Sequence, residues 1–198
     1  MDLKQLRENT QGFQPSDYGR VVRSGETYVA TERFVRGEVQ DALDRYRAKQ
    51  VLDQEARLLR DKAVDSLRRY HDYAIKERLG KPGAHYRDAN IQPGETKGLI
   101  FEHVIPVRYV LNMLIHQRIT IEQAMNPPTC LLRKAQDRLL STPVHKGGLG
   151  LADRTPCVFN FWRRYQGLGI NIVTHANEPV DQTNWTLWDH YQRFIVKS

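Results

Sequence analysis

The segment Glu102-His103-Val104-Ile105-Pro106 holds the residue types best suited to do chemistry. An imidazole titrates near neutrality and serves as a base, and a carboxylate supplies the hard oxygen that Mg²⁺ prefers. Hydrolysis of a phosphodiester needs an activated water and a cation to neutralise charge on the phosphate and leaving oxygen. On a regular strand, neighbouring side chains point to opposite faces. Glu102 and His103 therefore share a site only where the strand bends or ends, and Pro106 marks such an ending. A second ligand must come from elsewhere. The stretch after Arg133 offers Asp137, with Arg133, Lys134 and Arg138 around it for phosphate.

These groups need elements to hold them. Leu99-Ile100-Phe101 reads as a strand leading into Glu102 and His103, and Val107 to Ile115 as an apolar helical run. Thr120 and Gln123 form a capping-box pattern for a short helix over Ile121 to Met125, which Asn126-Pro127-Pro128 breaks. Thr129 to Arg133 then reads as a strand and Lys134 to Leu140 as a helix. Upstream, residues 1–36 are an irregular arm with a strand-like run at Thr27-Tyr28-Val29-Ala30. After Gly37 the chain turns helical to about Leu79. Leu52, Ala56, Leu59, Ala63, Leu67, Tyr70 and Ala74 form one apolar seam, which serves core packing or a homodimer contact. Gly80 to Gly98 reads as a polar linker or loop. Downstream, Gly147-Gly148-Leu149-Gly150 is a turn, Phe159 to Tyr165 reads as helical, and Gly169 to Val173 as strand. Trp185 and Trp188 are expected to be buried anchors. Base stacking beside Arg163 and Arg164 is the other use of this aromatic segment.

The order of a strand ending in acidic-His-x-x-Pro, then a strand leading into a helix with a polar ligand, resembles the HNH (ββα-metal) nucleases. The resemblance covers residues 98–141. It implies that Glu102 and Asp137 hold a divalent metal ion, Mg²⁺ being the expected one, that His103 is the general base, and that Asn126 orients it. Asp137 stands where that family has His or Asn, and the Gly-rich hairpin between the strands is replaced by two helices. Read without the resemblance, His103 is an ordinary strand-end histidine tied to a backbone carbonyl, and Asp137 a helix residue paired with Arg133 or Arg138.

Lys and Arg total 30 against 23 Asp and Glu, a formal charge of +7 in 198 residues with a pI near 9.5. This favours a polyanionic partner, and nucleic acid, DNA ahead of RNA, is the expected one. On the long helix Arg68 and Arg69 contribute a solvated face of mixed charge or a phosphate-tracking face. Cys130 and Cys157 form no C-x-x-C pair, the other histidines lack metal-ligand spacing, and no stretch approaches the roughly 18 apolar residues of a membrane span. A cytoplasmic protein is expected. The fold class expected is α+β: one helix-rich domain over 37–198 with a long N-terminal helix or helix pair and a small sheet carrying a ββα-like element. The function expected is a metal-dependent nuclease. The alternatives are a non-catalytic nucleic-acid-binding factor of a phage or mobile element, and a protein-binding inhibitor that docks through the Leu52–Ala74 seam.

Overall fold

The computed structural model describes residues 83–150 and 161–195 continuously, together with 36–37, 39–41, 43–45, 61, 63–64, 67–68, 70–71, 75 and 79. The strand expected at Thr27–Ala30, most of the N-terminal arm, and the choice between one long helix and a pair lie outside these residues. Within them the chain is α+β, with a four-stranded mixed sheet.

The strand richest in buried side chains is Thr129–Arg133 (β3), in which only Arg133 is not fully buried. Leu99–His103 (β2) lies antiparallel to it, with Glu102 opposite Cys130 and His103 opposite Thr129. On its other side β3 pairs in parallel with Tyr86–Asp88 (β1), which pairs antiparallel with Ile172–Thr174 (β4). The sheet order is β2-β3-β1-β4.

β1 lies in the stretch expected to be a linker. Its residues Tyr-Arg-Asp carry no apolar alternation, yet all three are buried. Each polar side chain has a partner. Arg87 donates to the carbonyl of Ile91 and to Asn177, and Asp88 accepts from Gln136 at 2.6 Å. A polar strand is stable inside when its hydrogen bonds are complete, and that completion depends on residues distant in sequence.

Between β2 and β3 run Val107–Ile115 (α1) and Ile121–Met125 (α2), the two helices expected. Thr120 and Gln123 bond reciprocally across the start of α2, as the capping box requires. β3 passes straight into Lys134–Ser141 (α3), and the carbonyl of Gly98 accepts from the Lys134 N–H. The segment expected to be helical near Phe159 is a 3₁₀ helix over Phe161–Leu168, and Leu187–Phe194 (α4) closes the described chain.

The pleat sorts the sheet's two faces. Tyr86, Cys130, Leu132 and Ile172 enter the main core with Trp162, Tyr165 and Tyr191, while Leu131 joins a smaller cluster with Ala84 and Ile91 on the other side. The backbone described between 36 and 79 is helical, with π-helical backbone at His71 and Ile75. Arg36 is already helical, at the end of the span read as arm. Ala63, Leu67 and Tyr70 of the seam are buried in the main core together with Val39 and Leu43, so this part of the seam is core packing; Leu52, Ala56, Leu59 and Ala74 lie outside the described residues. Trp162, Phe161 and Tyr165 are fully buried. Trp185 is half-buried and Trp188 is 64% exposed. Leu187, His190 and Tyr191 take the inward stripe of α4, and that register turns Trp188 outward.

Trp185 is held by a directed chain of hydrogen bonds. His190 Nε2 lies 2.9 Å from the Asn126 carbonyl, which can only accept, so Nε2 carries the proton. Burial holds His190 neutral, pushing its pKa down to about 3, so Nδ1 accepts from the Tyr86 hydroxyl at 2.8 Å. That hydroxyl in turn accepts from Trp185 Nε1 at 3.1 Å. Tyr86→Phe leaves the His190 acceptor and the Trp185 donor without this partner. Chemical denaturation is expected to show a loss of about 1–3 kcal/mol. A change below about 0.5 kcal/mol would mean that the chain adds nothing to stability.

Candidate functional site

Glu102 and His103 occupy the last two positions of β2 and, as strand alternation requires, turn to opposite faces. Glu102 is buried at 8% exposure. Its carboxylate meets Arg164 Nη1 at 2.8 Å and accepts from the Tyr165 hydroxyl, both from the 3₁₀ helix. His103, half-buried, meets His71 instead, with Nε2 to Nδ1 at 3.1 Å, and sits edge-on to Phe101 two residues back on its own face. The strand does not bend there to bring the two side chains together. Arg164 links them: the same Nη1 also reaches the His103 carbonyl at 3.3 Å.

Asp137 stands in the first turn of α3. α3 packs on β2, on β3 and on the 3₁₀ helix, close enough for the Asp137 charge to act on Glu102. Burial pushes the Glu102 pKa up to about 7, with Arg164 and Tyr165 opposing and Asp137 adding to the rise. Tyr165 is held well above its ordinary value by burial first and then by the Glu102 charge, so it remains a donor. The Cys130 thiol, opposite Glu102, is raised in the same way, which keeps it inert.

Asn126, expected to orient His103, has another task. Its Nδ2 donates to the Glu122 carbonyl at 2.9 Å and to the Glu122 side chain at 3.1 Å, and its N–H donates to the Gln123 carbonyl. It caps the C-terminus of α2. Of the cations expected at phosphate, Lys134, Arg138 and Arg68 are exposed. Arg133 is turned to the loop before β2, where it pairs with Glu95 at 2.7 Å and reaches the Asn90 carbonyl. Arg164, expected on a nucleic-acid surface, is instead nine-tenths buried against Glu102, and its Nε has no hydrogen-bond partner. Arg69 and the Arg163 side chain lie outside the described residues. His71, Arg164 and Tyr165 are the site neighbours that motif reading missed. His71 carried no spacing signal, and no local pattern pairs residue 102 with 164 and 165.

A divalent ion between Glu102 and Asp137 needs free carboxylate oxygens. Here both Glu102 oxygens are engaged by Arg164 and Tyr165. Among the described residues no three His, Cys, Asp or Glu side chains come together in a way that could hold a metal ion. The residues present therefore do not fit a bound Mg²⁺ in this arrangement; a guanidinium supplies the positive charge. Among the described residues no helix is long and apolar enough to cross a membrane. Comparison with protein-family models, with curated proteins and with solved structures gives no match.

The buried pair has a pH signature. The folded Glu102 value, about 7, lies above the ordinary value of 4.5, so the folded state holds the proton more tightly. Its contribution to stability is complete below about pH 4.5 and declines as pH rises through 7. In Glu102→Gln that decline is expected to disappear from the pH dependence of unfolding. Arg164→Ala leaves the carboxylate without its counter-ion and is expected to cost about 3–5 kcal/mol at pH 8. At pH 5, where Glu102 is protonated, the cost is smaller. Equal losses at both pH values would show that Arg164 acts through packing alone.

Proposed function

We propose that the chain is a nucleic-acid-cleaving protein of HNH-like type, with β2, β3 and α3 as its ββα element, His103 as the general base and DNA as the polymer. One observation carries this reading. α3 follows β3 without an intervening residue and packs on both strands of the pair whose β2 ends in Glu102 and His103. The +7 charge supports a polyanionic substrate. A ring nitrogen of His103 takes a proton from water as the water oxygen bonds to phosphorus, the P–O bond to the leaving sugar oxygen breaks, and that oxygen takes up a proton from solvent to leave as a hydroxyl. Lys134 and Arg138, exposed on α3, hold the flanking phosphates. No step runs through a metal ion.

A second reading, binding without cleavage, is favoured by the engagement of Glu102 with Arg164 and Tyr165, which leaves a ligand carboxylate satisfied by protein groups. On either reading Trp188, 64% exposed on α4, offers an indole face for an unpaired base.

Supercoiled plasmid and a single-stranded oligonucleotide, each with EDTA or with added Mg²⁺, separate these readings. Cleavage is expected to persist in EDTA and to fall about 10²–10⁴-fold in His103→Ala. Cleavage abolished by EDTA and restored by Mg²⁺ would overturn the metal-free mechanism. Salt-sensitive binding with no cleavage would replace the first reading with the second. Trp188→Ala is expected to weaken single-strand binding by about 1–3 kcal/mol with the unfolding midpoint unchanged. Unchanged affinity would remove Trp188 from the surface.

A further inference from the structure

His71 is fully buried, stands where the helical backbone widens to π-helical geometry, and is the ring that meets His103. π-Helical turns are rare and occur often at functional sites. The two rings lie 5.1 Å apart between centroids with planes tilted by 53°, an edge-directed approach rather than a stack. The hydrogen-bond directions follow from the one member with no choice. The Ala124 carbonyl, 2.9 Å from His71 Nε2, can only accept, so His71 carries its proton on Nε2. A neutral imidazole carries a single ring proton, so with that proton on Nε2 the His71 Nδ1 is an acceptor. The atom 3.1 Å from it is His103 Nε2, which must donate.

We propose that His71 is a positioning residue for His103: it fixes the ring in the Nε2–H tautomer, so that Nδ1 is the nitrogen that accepts a proton. This rests on the reading of His103 as the base. The resemblance assigned the orienting role to Asn126, whose amide caps α2; a histidine more than thirty residues upstream of His103 takes that role. The carbonyl of residue 103 is tethered by Arg164, so backbone and ring are held from different elements.

Tautomers are read directly by long-range ¹H–¹⁵N correlation on ¹⁵N-histidine-labelled protein. In the wild-type chain both His71 and His103 are expected as Nε2–H forms. In His71→Gln, where a side-chain amide can both donate to Ala124 and accept from His103, the His103 tautomer is expected to persist. In His71→Leu it is expected to become mixed. The cleavage assay is expected to show a kcat about 10–100-fold lower in His71→Leu with KM unchanged, and recovery in His71→Gln. An Nδ1–H tautomer for His103 in the wild-type protein would overturn the proposal, as would a His71→Leu variant whose tautomer and kcat match wild type. If the wild-type protein cuts nothing, the nuclease reading fails while the tautomer measurement still decides the role of His71. If His71→Leu does not fold, the wild-type and His71→Gln spectra decide it.

Discussion

The end of α2 is the constraint on which the rest of the structure depends. A helix leaves its last carbonyls without intrahelical donors, and here the next two residues are Pro127 and Pro128, which have no N–H to give. The end is buried, so water cannot substitute. Donors must come from side chains. Asn126 serves the Glu122 carbonyl, His71 the Ala124 carbonyl and His190 the Asn126 carbonyl. An unmet buried carbonyl costs about 1–3 kcal/mol, so these donors tie the N-terminal helical region and α4 to one point between β2 and β3.

That requirement determines the state of both histidines. Each must carry a proton on Nε2, which leaves Nδ1 to face the next polar group. One Nδ1 faces Tyr86, and through it Trp185; the other faces His103. The capping of a proline-terminated helix thus directs two polar chains through the interior, one organising α4 and the other reaching the strand end with the candidate base. His190, with a folded value of about 3, contributes stability that is complete above its ordinary value of 6.5 and is lost as pH falls towards 3. Glu102 acts in the opposite sense below 7. Between about pH 4.5 and 6.5 the two slopes oppose each other, and acid weakens the capped end of α2 while it relieves the buried carboxylate.

Local signals carried much of this fold. α1, α2 and β3 stand where apolar runs, the Thr120–Gln123 capping box and the proline pair place them, because a cap and a helix break are decided by residues within a few positions. β1 was illegible for the converse reason: Tyr86, Arg87 and Asp88 become strand only through Gln136, Asn177 and Cys130. Trp188 was misread because its composition signals burial, while the register of α4 decides otherwise. At the site the motif located Glu102, His103 and Asp137 on the right elements, but strand alternation sends the first two apart. Their partners Arg164, Tyr165 and His71 lie 62, 63 and 32 residues away, beyond the range of any spacing rule.

The alternation also has a chemical meaning. A carboxylate and an imidazole on one side of a strand would pair with each other, lowering the carboxyl pKa and raising the imidazole pKa, so that the imidazole would be held protonated near neutrality. Here the sheet keeps them apart and supplies each with its own partner. Glu102 receives a guanidinium and a phenol in a dry environment, and His103 receives the Nδ1 of His71. The Glu102 charge is thereby balanced inside the protein by groups of its own, apart from the imidazole. If this strand end does chemistry, the burden falls on His103 and on the alignment that His71 and the Arg164–carbonyl contact impose on it. Glu102 then acts through Arg164, as the counter-ion that holds the guanidinium against the His103 backbone.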